Sequence, residues 1–316
     1  MLTRKKISVV PIVYYEEGNI EELYKRLKTV LKKITPNFEI IYVCNDSTDN
    51  SEEILRKLAK KDKQLTVVFH SRNFGPQNSF TTGMKQAIGD AVVIMDGDLQ
   101  DPPELIEEFA KKWLEGFEVV YGIRRERTRN FGAIWEFIHH LFYVVFNKLS
   151  YIKVPLDAGD FSLMDKKVVD HINSLPEKDR FIRGLRAWVG FKQTGVSYIR
   201  PNRFWGQSSN NFISNLNWAK QAIFSFSYLP LEWIFYLAMS SFAVSFLAII
   251  FYIIWYIIKP DAPRGFLTIL VAVLFIGSIQ LITLSIISEY LRRIFEEVKG
   301  RPTAIVREII NNHRKK

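Results

Sequence analysis

A single cysteine, Cys44, in 316 residues excludes an intrachain disulfide framework and any zinc site built from several thiolates. Proline and glycine are sparse, at 12 and 16, which removes the collagen-like and low-complexity classes. The opening residues Met1–Lys6 carry no apolar stretch of the signal-peptide kind. Acidic residues are in deficit, 33 against 43 Lys and Arg, for a formal net charge of +10. Such a surplus suits nucleic acid, anionic lipid or a phosphorylated substrate.

Charge is missing altogether from two long stretches, Trp233–Ile258 and Phe266–Ser288. Each exceeds the roughly 20 apolar residues that cross a bilayer core of about 30 Å. A soluble helix keeps a polar face, so two membrane spans are the expected reading. The intervening Lys-Pro-Asp-Ala-Pro-Arg-Gly, 259–265, is too short for a domain, which predicts a helical hairpin with both ends on one side. Arg292, Arg293, Lys299 and Arg301 follow the second span, and the positive-inside rule places that side, with the large N-terminal part, in the cytoplasm. The basic residues cluster near the expected membrane and no basic helix or known motif accompanies them, so nucleic acid is set aside. Two further aromatic-rich stretches, Phe131–Leu149 and Phe212–Tyr228, read either as buried helices of the soluble part or as helices lying on the lipid surface. The resulting division is 1–211 soluble, 212–230 juxtamembrane, 231–290 membrane hairpin and 291–316 a C-terminal tail.

The soluble part alternates apolar β-rich runs with helical spacing. Strands are expected at Ile7–Val13, Phe38–Val43, Leu65–Phe69, Ala91–Met95 and Val119–Tyr121, with helices at Asn19–Lys33, after Asp49, and at Asn78–Ala87 and Pro103–Leu114. Continuous apolar strands between helices mean an α/β fold with a mostly parallel sheet covered on both faces. Ligands of such sheets bind at the carboxyl ends of the strands.

After the fourth strand stands Asp96-Gly97-Asp98-Leu99-Gln100-Asp101-Pro102-Pro103. Mg²⁺ and Mn²⁺ take oxygen ligands, typically one or two carboxylates completed by substrate phosphates. Asp96 and Asp98, with Gln100, are therefore the candidate metal ligands. Tyr14, Glu16, Asn45 and Asp46 follow strands one and two, where short polar side chains hold a ribose or read a base edge, or else cap helices. Arg72, after strand three, either approaches a diphosphate or pairs with the acidic loops. An arginine-rich region follows, with Arg124, Arg125, Arg127 and Arg129, then Arg180, Arg183, Arg186, Arg200 and Arg203. Guanidinium groups between a metal site and membrane spans suit a phosphate held at the bilayer surface.

Several segments together resemble family-2 glycosyltransferases of GT-A fold that act on polyprenyl phosphates, in particular the bacterial polyisoprenyl-phosphate glucosyltransferases of the GtrB type, relatives of dolichyl-phosphate mannose synthases and ArnC. The segments are Arg72-Asn73-Phe74-Gly75, Gly89-Asp90, Met95–Pro103, Tyr121-Gly122, Leu156–Phe161, Arg180-Phe181-Ile182-Arg183-Gly184 and Glu296–Pro302. The sequence departs from the family at Tyr15, where asparagine is usual, at Cys44-Asn45-Asp46-Ser47, and at Gly206-Gln207-Ser208-Ser209-Asn210, where a lysine is missing and phosphate contact shifts to Arg200 and Arg203.

The resemblance implies inverting transfer of a hexose, glucose from UDP-glucose being the expected case, to polyprenyl (undecaprenyl) phosphate with Mg²⁺ or Mn²⁺ as cofactor. It implies catalytic roles for Asp157, Asp98 and Arg124. Tyr14, Glu16, Asn45, Asp46, Arg72 and Asp96 would bind the nucleotide sugar, and Arg127, Arg200 and Arg203 the acceptor phosphate. Asp157 or Asp160 would orient substrate or act as base, or pair with an arginine. Partners are then the nucleotide sugar, the polyprenyl phosphate and the bilayer of the inner membrane, with homo-oligomerisation open. The rivals are mannose transfer from GDP-mannose and a silent lipid-binding adaptor; retention of Asp96, Asp98 and Gln100 argues against silence.

Overall fold

The structure is a computed structural model that describes residues 1–125, 158–206, 224–258 and 265–313. One eight-stranded sheet organises the soluble part, in the order β7-β5-β6-β4-β1-β2-β3-β8. Its strands are β1 (Ile7–Val13), β2 (Phe38–Cys44), β3 (Leu65–His70), β4 (Ala91–Asp96), β5 (Val119–Arg125), β6 (Ala158–Asp165), β7 (Gln193–Ile199) and β8 (Val306–Ile310). β1 pairs in parallel with β2 and β4, β2 with β3, and β5 with β7. β6 runs antiparallel to both β4 and β5, and β8 antiparallel to β3.

The central strands are buried along almost their whole length, which is why they read as unbroken apolar runs. Helices α1 (Ile20–Ile34), α2 (Ser51–Lys61) and α4 (Leu105–Leu114) cover one face, with Leu23, Leu27 and Leu31 of α1 against Val9, Tyr42 and Met95. Helices α3 (Pro76–Gln86), α5 (Lys166–Ser174) and α6 (Ile182–Trp188) cover the other, with Phe80, Val168 and Ile182 against Val10, Val43 and Ile94. The spacing of three and four in α1 puts all its buried residues on one stripe. Asn50 occupies the N-cap position of the helix after Asp49 without a side-chain cap, while the Asp49 carboxylate accepts from the Ser51 amide at 3.2 Å.

Two long helices complete the described chain, α7 (Leu229–Ile258) and α8 (Phe266–Val298). At 1.5 Å per residue they run about 45 and 50 Å, enough for a hydrocarbon core of about 30 Å. The most apolar parts of their windows, Leu229–Trp255 and Ala272–Val298, stand open away from the sheet domain, with Phe242 67% and Leu281 70% exposed. A core helix of a soluble protein would hide such side chains. Both helices are long and apolar enough to cross a membrane, and they mark the protein as membrane-associated.

Their outer ends hold to the sheet domain. The Tyr290 hydroxyl donates to the Ser227 carbonyl at 2.9 Å, Arg293 pairs with Asp179, and Glu297 accepts from the Lys178 amide at 2.7 Å. After α8 the chain returns as β8, so α7 departs from and α8 comes back to the same domain. The segment read as a tail thus supplies an edge strand. Five residues flanked by polar ones gave no periodicity long enough to distinguish. The stretch 131–149 and most of 212–228 lie outside the described residues.

Candidate active site

The carboxyl ends of β1, β2 and β4 meet at one edge, and each leads into a loop bent through a left-handed non-glycine residue: Tyr15 (φ 57°), Asp46 (φ 55°) and Leu99 (φ 59°). Such conformations cost free energy and concentrate at functional sites. Glycine is required at position 97, because a Cβ there would lie 2.5 Å from the Ile12 carbonyl oxygen. Asp96 and Asp98 therefore leave β4 pressed against the end of β1.

Carboxylates crowd this edge. Burial, reinforced by the charges of Asp101, Asp98 and Asp160, pushes the Asp96 carboxyl up to about 8, against the pull of Arg124. Asp98 is buried; its Oδ1 accepts from the Gln100 amide at 3.0 Å and its Oδ2 lies 3.0 Å from Arg203 Nη2. Asp101, wholly buried, accepts from the Tyr198 hydroxyl and lies 3.6 Å from Arg124 and 4.0 Å from Arg200. Burial works against the Arg124 charge, but Asp101, Tyr198 and Asp96 outweigh it and hold that guanidinium above its ordinary pKa. Asp160 is gripped by Arg183 at 3.1 Å and by Gln77 Nε2 at 3.2 Å.

The segment after β7 folds over this edge. Arg203 Nη1 lies 3.4 Å from Glu16 Oε1, so one guanidinium bridges the β1 loop and Asp98. Trp205 lies against Gly18, where a Cβ would come within 2.5 Å of its ring, and its carbonyl accepts from Asn19 Nδ2 at 3.3 Å. Burial raises Glu16 to about 7, offset in part by its hydrogen bond from Asn19 and by Arg203. Gln100 turns its amide toward the Pro201 carbonyl at 3.5 Å.

The β2 and β3 loops are wired differently. Asn45 Oδ1 accepts from the Phe74 amide at 3.0 Å and lies 3.0 Å from His70 Nδ1, while its Nδ2 donates to Asn73 Oδ1 at 2.6 Å. The side chain of Asn45 thus fixes the β3 loop from inside. Tyr14 sits edge-on to Tyr15, with ring centroids 4.5 Å apart. Asp46 meets Arg307 of β8 at 3.6 Å. Arg72 lies over the Phe74 ring at 4.1 Å and donates to the Asn73 carbonyl at 3.1 Å.

Of the residues singled out from sequence, Glu16, Asp96, Asp98, Gln100, Arg124, Arg200 and Arg203 come together at the β4 edge. Arg203, expected with the acceptor, stands on Asp98 and Glu16. Tyr14, Asn45, Asp46 and Arg72 line the neighbouring loops. Asp157 and Arg127 lie outside the described residues. Sequence reasoning gave no role to Asp101, Tyr198, Gln77 or His70. Asp101 had a signal, as a third acid in one strand-end loop; the others matter through contacts more than 10 residues away in sequence.

Among the described residues no group of three or more His, Cys, Asp or Glu is arranged to hold a metal unaided. Two hard carboxylates at a strand end, with one carboxyl driven up by burial and then by its neighbours' charge, still fit a divalent cation whose remaining ligands come from a diphosphate.

Residues 8–172 match glycosyl transferase family 2. A mostly parallel sheet of this topology with a carboxylate pair after β4 is a GT-A-like fold, and the chain belongs to glycosyltransferase family 2. It is 42% identical over 307 residues to the uncharacterised glycosyltransferase sll0501 of Synechocystis, covering 96% of this chain and 95% of that protein. It is 35% identical over 303 residues to the SfII prophage-derived bactoprenol glucosyl transferase of Shigella flexneri, covering 96% and 98%. Among solved structures, glucosyl-3-phosphoglycerate synthase from Mycobacterium tuberculosis, in complex with phosphoglyceric acid, is similar at a TM-score of 0.45, with 22% identity over 70% of this chain and 78% of that one.

Proposed function

We propose that the protein transfers glucose from UDP-glucose to a polyprenyl phosphate, with inversion at the anomeric carbon, on the cytoplasmic face of a bacterial inner membrane. The observation that carries this reading is the similarity to bactoprenol glucosyl transferase, which extends over 96% of the chain and so takes in the apolar helices as well as the sheet domain. The charge after α8, with Arg292, Arg293, Lys299 and Arg301, supports the orientation.

A phosphate oxygen of the acceptor attacks C1 of the sugar as the bond from C1 to the nucleoside diphosphate breaks. The second pKa of a phosphomonoester is about 6, so the acceptor is largely dianionic at neutral pH and needs little help from a base. The task of the site is to align the two substrates and stabilise the leaving diphosphate. Asp96 and Asp98, with Gln100 beside them, would hold Mg²⁺ or Mn²⁺, which supplies charge neutralisation at the diphosphate. Arg124, fixed by Asp101 and Tyr198, presents a permanent positive charge next to that position. Arg203 belongs by its contacts to the donor half, while Arg200 and Arg127 remain the candidates for the acceptor phosphate. Both carboxylate oxygens of Asp160 are engaged by Arg183 and Gln77, so orientation of substrate falls to Asp157. Tyr14 and Asp46 face the nucleoside from the β1 and β2 loops, with Asn45 acting through the loop it pins and Arg72 at the rim.

Purified protein in detergent, given polyprenyl phosphate and a panel of labelled nucleotide sugars with Mg²⁺ or Mn²⁺, tests the reading. Label moving from UDP-glucose into lipid is the expected result. Preference for GDP-mannose would replace the donor assignment, and no transfer from any donor would end it.

A further inference from the structure

Away from the carboxylate cluster, a cleft of about 420 Å³ opens between the end of α3, the loop after α5 and the linker from α8 to β8. Neither Asp96 nor Asp98 lines it. Basic side chains dominate its wall: Lys85 from α3, Lys178 and Arg180 from the loop, and Arg301 from the linker, against one acid, Glu177. Thr303 adds a neutral hydroxyl residue to the wall.

The wall is shaped by specific features of the chain. Gly300 adopts φ +65°, a left-handed turn that redirects the backbone directly after α8 and sets Arg301 at the cleft. Lys178 is partly committed, since its Nζ donates to the Glu297 carbonyl at 3.0 Å and caps α8. Recognition therefore rests on Lys85, Arg180 and Arg301. Arg180 is only 3% exposed and is held in place by donating to the Ile172 carbonyl. Lys85 is pulled below its usual pKa, first by burial of its ammonium group and then by repulsion from Arg180. Cations that repel one another beside a shared cleft are relieved by an anion, and ammonium and guanidinium donors match phosphate oxygens.

We propose that this cleft binds a soluble phosphate or diphosphate anion, at a site separate from the strand-end carboxylates. The source is soluble because α8 continues for about 15 Å past Ser288, where its uncharged stretch ends. Headgroups add only about 5–8 Å on each side of the hydrocarbon core. This placement rests on α8 crossing the membrane, as the proposed function has it; the cleft itself does not.

Calorimetric titration of inorganic pyrophosphate into the full-length, detergent-solubilised protein tests the site, with EDTA present to remove any cation from Asp96 and Asp98. Saturable binding is expected, unchanged in Asp98→Asn. It should weaken about ten- to a hundredfold in the double variant Lys85→Ala/Arg301→Ala, as loss of charge-assisted hydrogen bonds predicts. Both replaced side chains are exposed, so the variant keeps its fold, checked by circular dichroism. No binding, or binding that the double variant retains, overturns the proposal. So does displacement of pyrophosphate by vesicles containing phosphatidylglycerol but not by neutral ones, which would assign the cleft to a lipid headgroup. Turnover is not measured, so failure of the glucosyl-transfer reading leaves this result standing.

Discussion

Around the loops after β2 and β3 a set of neutral side chains satisfies itself, with the charged Asp46 and Arg72 outside that set. Asn73, Asn45, His70 and Thr82 form a chain of hydrogen bonds that runs inward from the exposed Asn73 to the buried His70 and Thr82. Around the carboxyl ends of β4, β5 and β7 and the start of the antiparallel β6 the side chains are charged: Asp96, Asp98, Asp101 and Asp160 stand among Arg124, Arg183, Arg200 and Arg203. A neutral network has one satisfied arrangement and holds a fixed shape, which suits recognition of a nucleoside. A charged cluster trades partners when a cation or a phosphate arrives, which suits chemistry at a diphosphate. On the proposed function the two sides of one rim would divide the work, and each can be broken separately.

The largest effect is expected on the charged side. Asp98→Asn keeps the volume and the acceptor for the Gln100 amide but removes the charge. Turnover should fall by about 10²–10³, the scale of losing one preorganised electrostatic contact, while thermal unfolding stays near wild type. Undiminished transfer by the variant, or by wild type in excess chelator, would show that no cation works here.

On the neutral side the expected change is in stability. Burial pulls His70 down to about 4, so the ring is neutral in the folded state at physiological pH. Between about 6.5 and 4 the unfolded chain binds the proton and the native one does not, so stability falls as pH falls through that window. The loss at pH 4 is on the order of 3 kcal/mol. Denaturant titrations at pH 7.5 and 5 read it, and His70→Gln should flatten the dependence. An equally steep pH profile in the variant would place the titration elsewhere.

Arg203 tests whether charges on the β4 edge do exchange. Its guanidinium neutralises Asp98 and Glu16 together. Without it both carboxylates are released to a cation, and Mn²⁺ should bind the donor-free protein about tenfold more tightly in Arg203→Ala, since a charge-assisted contact is worth about 1.5–3 kcal/mol. Electron paramagnetic resonance of free Mn²⁺ measures this directly. Weaker Mn²⁺ binding in the variant would mean that Arg203 supports the metal site instead of competing for it.

The sequence carried the frame of this rim further than its wiring. β1 to β4 and the Asp96–Asp98 pair were legible because buried strands are continuous apolar runs and the loop after β4 follows one directly. β6 was not: Ala158–Asp165 breaks its apolar residues with Gly159, Asp160 and Ser162 and shows no continuous run, and its antiparallel place between β4 and β5 is set by partners more than 30 residues away. Tyr198 reaches Asp101 only because β7 pairs with β5. The hairpin was read from the absence of charge alone, whereas the return of the chain as β8 depends on register against β3 that no local pattern records.

That returning strand supplies the smallest effect. Arg307 touches Asp46, on the neutral side of the rim, and Glu52 of α2. The side chains of the Arg307–Asp46 pair are 42% and 39% exposed, and ion pairs so open to water are worth about 0–1 kcal/mol. The strand is held instead by its ladder to β3 and by Asn311, whose Nδ2 donates to the Ala59 and Leu65 carbonyls at 2.8 and 3.0 Å. Arg307→Ala should therefore lower stability by less than about 1 kcal/mol, further reduced at 0.5 M salt. The KM for the nucleotide sugar should rise no more than about fivefold, the change that 1 kcal/mol allows. Asn311→Ala leaves the Ala59 and Leu65 carbonyls without that donor and should cost more, about 1–3 kcal/mol. A donor KM raised tenfold or more in Arg307→Ala, rescued by Arg307→Lys and insensitive to salt, would make Arg307 part of donor recognition and would end the division of the rim into a neutral and a charged side.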